Sequence, residues 1–180
     1  MNTLSTVELI GSKISLIPFN ESHITETYVS WLNDKEMSTI ILSAETTTNL
    51  LECKEYATAM IQSNENHFFA MIAHDTGEHI GNFRLGPHDR HNSRIQLGMM
   101  IGNKEYWGKG IGTEVVKLGL EFAFRNLKVH KVYLDVREDN RGAIKIYEKN
   151  GFYHEGILKE HVFKNERYYD LVLMSAINPY

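Results

Sequence analysis

The stretch Leu97–Thr113, LGMMIGNKEYWGKGIGT, carries an apolar run through a cluster of glycines and directly into a helical pattern. Gly108, Gly110 and Gly112 alternate with Lys109 and Ile111 ahead of TEVVKLGLEFAF. Glycine accepts positive φ and lets a ligand approach the backbone. The first turn of a helix leaves its N–H groups without intrahelical partners, and its positive end favours phosphate. The cluster therefore reads as an anion seat, although taken alone it also fits a tight strand-to-helix turn.

Composition narrows what such a seat can serve. With 180 residues, 42% of them hydrophobic, the chain can bury one full core, so residues 1–180 are expected to form a single domain. The net charge is -4, the pI is near 6.1, and like charges form no long block, which argues against nucleic acid and anionic membranes as partners. The single cysteine, Cys53, shares a helical stripe with Leu50, Ala57 and Met60 and reads as a buried hydrophobe rather than a nucleophile. The first residues lack a signal-peptide pattern, and no run approaches the ~20 apolar residues of a membrane span, so a soluble cytoplasmic protein is expected.

Working outward from the glycines, apolar alternation predicts a first strand within 8–18. Asn20 is expected to cap a helix to about Asn33, followed by a loop over 34–46 and a second helix over 48–64. Strands follow at 67–74 and 79–85 around an Asp-Thr-Gly-Glu turn. A polar loop is expected at 86–93, then a central strand at 94–101 whose Gly98 marks a bulge or a close backbone approach. A helix to about Asn126, a strand at 131–137, a helix from Asn140 to the Asn150-Gly151 stop and two final strands near 152–159 and 167–175 complete the order. This pattern predicts an α/β (α+β) fold: a mixed, mostly antiparallel sheet flanked by helices.

The glycine cluster fails two familiar phosphate patterns. A Walker A loop has four residues between its first glycine and Gly-Lys, whereas five separate Gly102 from Gly108, and Gly110 rather than Ser or Thr follows Lys109. The dinucleotide fingerprint GxGxxG is also absent. The stretch instead resembles the GNAT acyltransferase superfamily, where [Gln/Arg]xxGx[Gly/Ala] opens a helix that holds the coenzyme A pyrophosphate. Gly110 and Gly112 fit, with Trp107 at the first position. That departure is shared by the branch resembling ribosomal-protein-alanine and spermidine N-acetyltransferases, whose Tyr-Trp-Gly-Lys-Gly-x-Gly-Thr-Glu form matches Tyr106–Glu114 throughout. A second segment, REDNRGAIKIYEKNGF over 137–152, places Asn140, Ala143 and Tyr147 as the family does. Asn140 and Tyr147 are nearly two helical turns apart, ~10.5 Å along one face. Alone, Asn140 would read as a helix cap and Tyr147 as a core tyrosine. The resemblance extends over roughly Phe69–Met174.

The resemblance implies direct transfer of an acetyl group from acetyl-CoA to an amine, without a metal. By carry-over, Tyr147 donates a proton to the departing thiolate, a role suited to a phenol protonated at neutral pH. Backbone groups of Met100 and Ile101 hold the pantetheine and polarise the acetyl oxygen. Trp107, Gly108, Lys109, Gly110, Ile111, Gly112 and Thr113 form the cofactor loop with Asn140 and Ala143, and Lys104 and Lys109 add positive charge. The carboxylate that many relatives carry two residues before the strand glycine is Gln96 here, an amide that cannot act as a base. Substitute groups are His88, Asp89 and His91, or Asp170, though a surface role suits each of these. Trp31 and Asn33 sit where a substrate cleft could be lined. The acceptor is an amine of open identity: a protein N-terminus, a polyamine, an amino-sugar or another small amine. The loops near 34–46, 86–93 and 159–167 are expected to shape its pocket, and the state is monomer or homodimer. A non-catalytic acyl-CoA-binding module is the competing reading, and Gln96 is its main support.

Overall fold

The structure, a computed structural model, describes residues 7–40 and 48–180. Apolar side chains on alternate positions build three consecutive antiparallel strands, β3 (His67–Ala73), β4 (His79–Asp89) and β5 (Arg94–Ile101). Upstream of them β2 (Ile14–Pro18) pairs with β3 and β1 (Leu9–Ile10) with β2. Downstream, β6 (Lys131–Arg137) lies parallel to β5, followed in space by β8 (Arg167–Ile177) and β7 (Tyr153–Lys164). The described strands form one sheet in the order β1-β2-β3-β4-β5-β6-β8-β7, antiparallel except between β5 and β6.

A parallel pair needs a crossover connection, and α4 (Ile111–Glu121) provides it, ending in a π-helical turn over Phe122–Asn126. Phe69, Phe83, Leu85 and Ile95 from the strands join Val115, Val116 and Leu120 of α4 in the main core, with Ile144 and Tyr147 of α5 (Arg141–Lys149). The helix lies very close to the sheet because Gly119 has no side chain: a Cβ there would approach Phe83 Cε1 to 2.7 Å. The opposite face of β2–β4 is covered by α1 (Glu26–Asn33) and α3 (Leu50–Gln62), whose Tyr28, Trp31, Cys53 and Ala57 pack with Phe19 and Ala70. Cys53 is buried there, as its helical stripe predicted.

The mixed, mostly antiparallel sheet with flanking helices is as expected, but several local expectations need correction. The first strand is two, because the chain turns at residues 11–13, where Glu114 of α4 accepts from Lys13 N at 2.8 Å and Ser12 Oγ at 2.8 Å. Asn20 is a cap, but of a 3₁₀ turn over Glu21–His23; α1 starts later with the Thr25 side chain as its cap. The expected loop after Asn33 begins with a short helix, α2 (Lys35–Ile40), while its residues 41–46 lie outside the described residues. The first half of the expected loop at 86–93 is strand: β4 absorbs a register shift between Leu85 and His88 and continues to Asp89, and only 90–93 form a turn. That shift, rather than Gly98, is the irregularity of this pair, since Gly98 stays in register with Arg84. The final strands are longer than expected and form a hairpin with shifts between His154 and Gly156 and between Leu158 and Val162.

Candidate active site

The parallel ladder between β5 and β6 has only the rungs Arg94–Lys131, Ile95–Val132 and Gln96–Tyr133. Beyond Gln96 the two strands part, while β5 remains paired with β4 as far as Ile101. Backbone N–H and C=O groups of Leu97–Ile101 on the β6 side therefore lack a strand partner and need another one. A cleft of about 940 Å³ passes through this notch, and Met100, Ile101, Tyr147 and Asn140 line it.

At one end of the cleft stands the N-terminus of α4. Gly108 and Gly110 have φ of 73° and 83°, a region that favours glycine, and Gly110 caps the helix without a side-chain bond. Glu114 N donates to Gly110 O, so the amides of Ile111, Gly112 and Thr113 precede the first helical bond. Gly112 also lies close against α5, where a Cβ would meet the end of the Ile146 side chain, Cδ1, at 2.8 Å. Lys13 Nζ donates to Lys109 O at 2.7 Å, bracing the loop from β2. Trp107 Nε1 donates to Ile101 O at 2.9 Å and ties the loop to the end of β5. Three successive amides at a positive helix end suit a pyrophosphate.

All the sequence-derived loop residues line the cleft except Lys109, whose Nζ lies 5.1 Å from the Tyr106 ring centroid. Lys104 is committed elsewhere, to Asp34 and Glu36 at 2.8 Å each. The lysines that line the cleft come instead from α5, as Lys145 and Lys149. They were not singled out from the sequence, where they look like solvated helix positions; only their spacing on the cleft face of α5 marked them.

Asn140 caps α5, its Oδ1 accepting from Ala143 N at 3.1 Å, and it lines the cleft at the same time. Tyr147 is a buried tyrosine in contact with Phe152, and it too reaches the cleft. Burial first, and then the nearby Asp135 carboxylate, push its phenol well above the usual tyrosine range. Gln96 Nε2 donates to Asp135 Oδ1 at 2.8 Å, and both residues line the cleft. Asp135 thus puts a carboxylate beside the position where Gln96 lacks one, and the sequence reading missed it.

The alternative basic groups are not in the cleft. His88 is buried at the far end of β4, and burial lowers its pKa; Asp89 pairs with Arg94 at 3.0 Å. Neither they nor His91 line the cleft. Asp170 accepts from Lys159 Nζ at 2.6 Å and Glu160 N at 2.8 Å, fastening the irregular part of the β7–β8 hairpin. Trp31 packs against Gly102, and Asn33 holds Thr48 through paired bonds of 2.7 and 2.8 Å, so Leu32 and Met37 line the cleft in their stead. The loops at 86–93 and 159–167 contribute no lining residue; the half-buried sheet face at Arg84, Gln96 and Asp135 does.

Comparison with known proteins agrees with this geometry. The Acetyltransferase (GNAT) domain family matches residues 13–153. A probable N-acetyltransferase, YjcK of Bacillus subtilis, is 32% identical over 125 residues, 69% of this chain and 68% of that protein. The spermidine N(1)-acetyltransferase of Escherichia coli K12 is 36% identical over 98 residues, 54% of this chain and 52% of that protein. These matches thus span about half to two thirds of the relatives' own length. The crystal structure of spermidine N-acetyltransferase from Vibrio cholerae in complex with CoA and spermine superposes with a TM-score of 0.85 at 24% identity, covering 93% of this chain and 97% of that one. With a family match across most of its length and the same fold, the chain belongs to the GNAT acetyltransferase family.

Proposed function

We propose that the protein is an N-acetyltransferase that moves an acetyl group from acetyl-CoA directly to a primary amine. The observation that carries this reading is the meeting of a protonated phenol, Tyr147, and a carboxylate, Asp135, in the notch where β5 and β6 part. The residues present fit the cosubstrate: amides of Ile111–Thr113 suit its pyrophosphate, Lys145 and Lys149 its remaining charge, and the unpaired edge of Leu97–Ile101 its pantetheine. When bound, acetyl-CoA supplies an acetyl group activated as a thioester.

The chain then has two proton transfers to manage. An amine arrives largely as its ammonium at neutral pH and must lose a proton before its nitrogen can attack. Asp135, which lines the cleft, takes that proton, with Gln96 holding its Oδ1. As the N–C bond forms and the C–S bond breaks, Tyr147 gives its phenolic proton to the sulfur, and the second proton shed by the nitrogen as it becomes an amide restores the phenol. Because burial and Asp135 raise its pKa, the phenol keeps that proton through the neutral range. Amides at the open edge of β5 oppose the charge that develops on the acetyl oxygen.

The test is thiol release from acetyl-CoA across a panel of amines, with calorimetry for cosubstrate binding. Tyr147→Phe should reduce kcat about 10²-fold or more while acetyl-CoA affinity is retained. Binding of acetyl-CoA without thiol release from any amine would reduce the site to a binding module, and unchanged turnover of Tyr147→Phe would remove the phenol from the mechanism.

A further inference from the structure

The acceptor half of the cleft contains two side chains, Asn82 and Arg84, with donors that meet no hydrogen-bond or carboxylate partner among the described residues. Asn82 and Arg84 lie two residues apart on β4, on one face, opposite Met100 and Gly98 of β5, and both line the cleft. Asn82 is 5% exposed; its Oδ1 is taken by His79 Nε2 at 2.8 Å, and its Nδ2 is buried without a hydrogen-bond partner. The Tyr28 phenol, raised in pKa chiefly by burial, stands near this amide, whose hydrogen-bonding pull opposes that rise. Arg84 is half-buried, and among the described residues no carboxylate pairs with its guanidinium.

The other charges in this half of the cleft are committed. Glu52 closes the N-terminal cap of α3, accepting from Asn49 N at 3.2 Å and Thr48 Oγ1 at 3.0 Å. Arg137 is bonded to Asp139 and stacks on Tyr169, 3.7 Å from the ring centroid. Asp135 is held by Gln96. Arg84 is the cation of this half without a carboxylate partner among the described residues, and a half-buried guanidinium so placed gains from meeting an anion. Its position decides which anion it can meet. The guanidinium lies beside Gly98, where an added Cβ would stand 3.7 Å from Nε and 3.9 Å from the terminal nitrogen. Bare backbone at Gly98 thus leaves the floor open between Arg84 on β4 and the Gln96–Asp135 pair.

We infer, resting on the proposed acetyl transfer, that the acceptor is a zwitterion: an amine that also carries a carboxylate or phosphate, bound by Arg84 and Asn82 while its nitrogen meets Asp135. A guanidinium matches the paired oxygens of either anion in a fork, and Asn82 Nδ2 supplies a further donor from the same strand. A polyamine would instead bring additional positive charge to Arg84 and leave Asn82 unsatisfied. This distinguishes the acceptor from that of the spermidine enzymes whose fold the chain shares.

Matched pairs test the assignment: glucosamine 6-phosphate against glucosamine, β-alanine against propylamine, and spermidine as the cation, all followed by thiol release. At least one anionic member should exceed its neutral partner about tenfold or more in kcat/KM, and Arg84→Gln should abolish that preference with acetyl-CoA affinity retained. Arg84→Lys should restore part of it, and Asn82→Ala should reduce it. The pair that shows the preference identifies the anion as phosphate or carboxylate. Turnover of spermidine or a neutral amine in preference to both anionic compounds would overturn the inference while leaving acetyl transfer standing, as would an undiminished preference in Arg84→Gln. Absence of thiol release from every amine would overturn acetyl transfer itself, and the inference with it.

Discussion

Replacing Gly119 by alanine tests whether the position of α4, and with it the phosphate seat, depends on one missing methyl group. The added Cβ would sit 2.7 Å from Phe83 Cε1 and 3.0 Å from Cε2, and closer still to Cζ. Carbon atoms pack at about 3.5–4.0 Å, so the ring or the helix must yield by about 1 Å. Phe83 is fully buried and tilted against Phe69 at a centroid distance of 6.3 Å, which leaves the ring little room. An overlap this deep against a buried ring falls in the upper part of the overpacking range, about 2–3 kcal/mol, against a helix-propensity gain of about 1 kcal/mol for alanine. A net destabilisation of about 1–2 kcal/mol follows, together with weaker acetyl-CoA binding if α4 backs away and takes the amides of Ile111–Thr113 with it. Urea unfolding with an unchanged m-value and calorimetry of acetyl-CoA binding measure the two effects. Gly142→Ala is the control, since a Cβ there meets only Asn140 Oδ1, at 4.0 Å; it should leave stability unchanged or raise it by up to about 1 kcal/mol. A Gly119→Ala protein as stable as its parent would refute the close approach of α4 to the sheet.

Three further outcomes are expected. Asp135→Asn should lower kcat about 10²-fold at pH 7 and recover activity toward alkaline pH, as the amine loses its proton unaided; a flat deficit across pH would deny Asp135 the role of base. Thr25→Ala removes the side chain that accepts from Tyr28 N at 3.2 Å and should cost about 1 kcal/mol in unfolding experiments. His67 is depressed to about 4 by burial, and then by His88 and Arg90, so its neutral form is favoured in the fold. Below the ordinary pKa of 6.5 the unfolded chain binds a proton that the folded one refuses, so stability should fall as pH drops from about 6.5 to 4. His67→Phe should make stability less dependent on pH across that window, as read from urea midpoints at pH 7 and pH 5.

The parts of the site that sequence revealed are those whose physics is local. Gly108 and Gly110 take positive φ because the turn into α4 demands it, and Asn140 caps α5 within three residues of itself. Tyr147, singled out by the family resemblance, stands nearly two turns from Asn140 on the same helix. Where neighbouring strands decide, composition misled. Gly86–Asp89 looks like a loop, yet pairing with β5 across a register shift keeps it in the sheet and buries His88. Asp170 looks available for chemistry, yet its partners are across the β7–β8 hairpin.

Gln96 shows the consequence for mechanism. Read along its own strand it is a lost carboxylate, and that loss favours a module that only binds. Read across the sheet it is one half of a pair. The rung Gln96–Tyr133 sets the parallel register, and Asp135, two residues beyond Tyr133, returns to the same face and accepts the amide's hydrogen bond. The negative charge has been moved one strand over, to a position 39 residues away in the chain. No pattern confined to β5 can display that exchange, because α4 and the crossover stand between the two residues. Arg84 obeys the same logic from the other side: it is an unremarkable strand arginine until Gly98 is seen beneath it and Asp135 beyond. On the proposed reading, recognition of the acceptor would draw on three strands, β4, β5 and β6, rather than on any one of them.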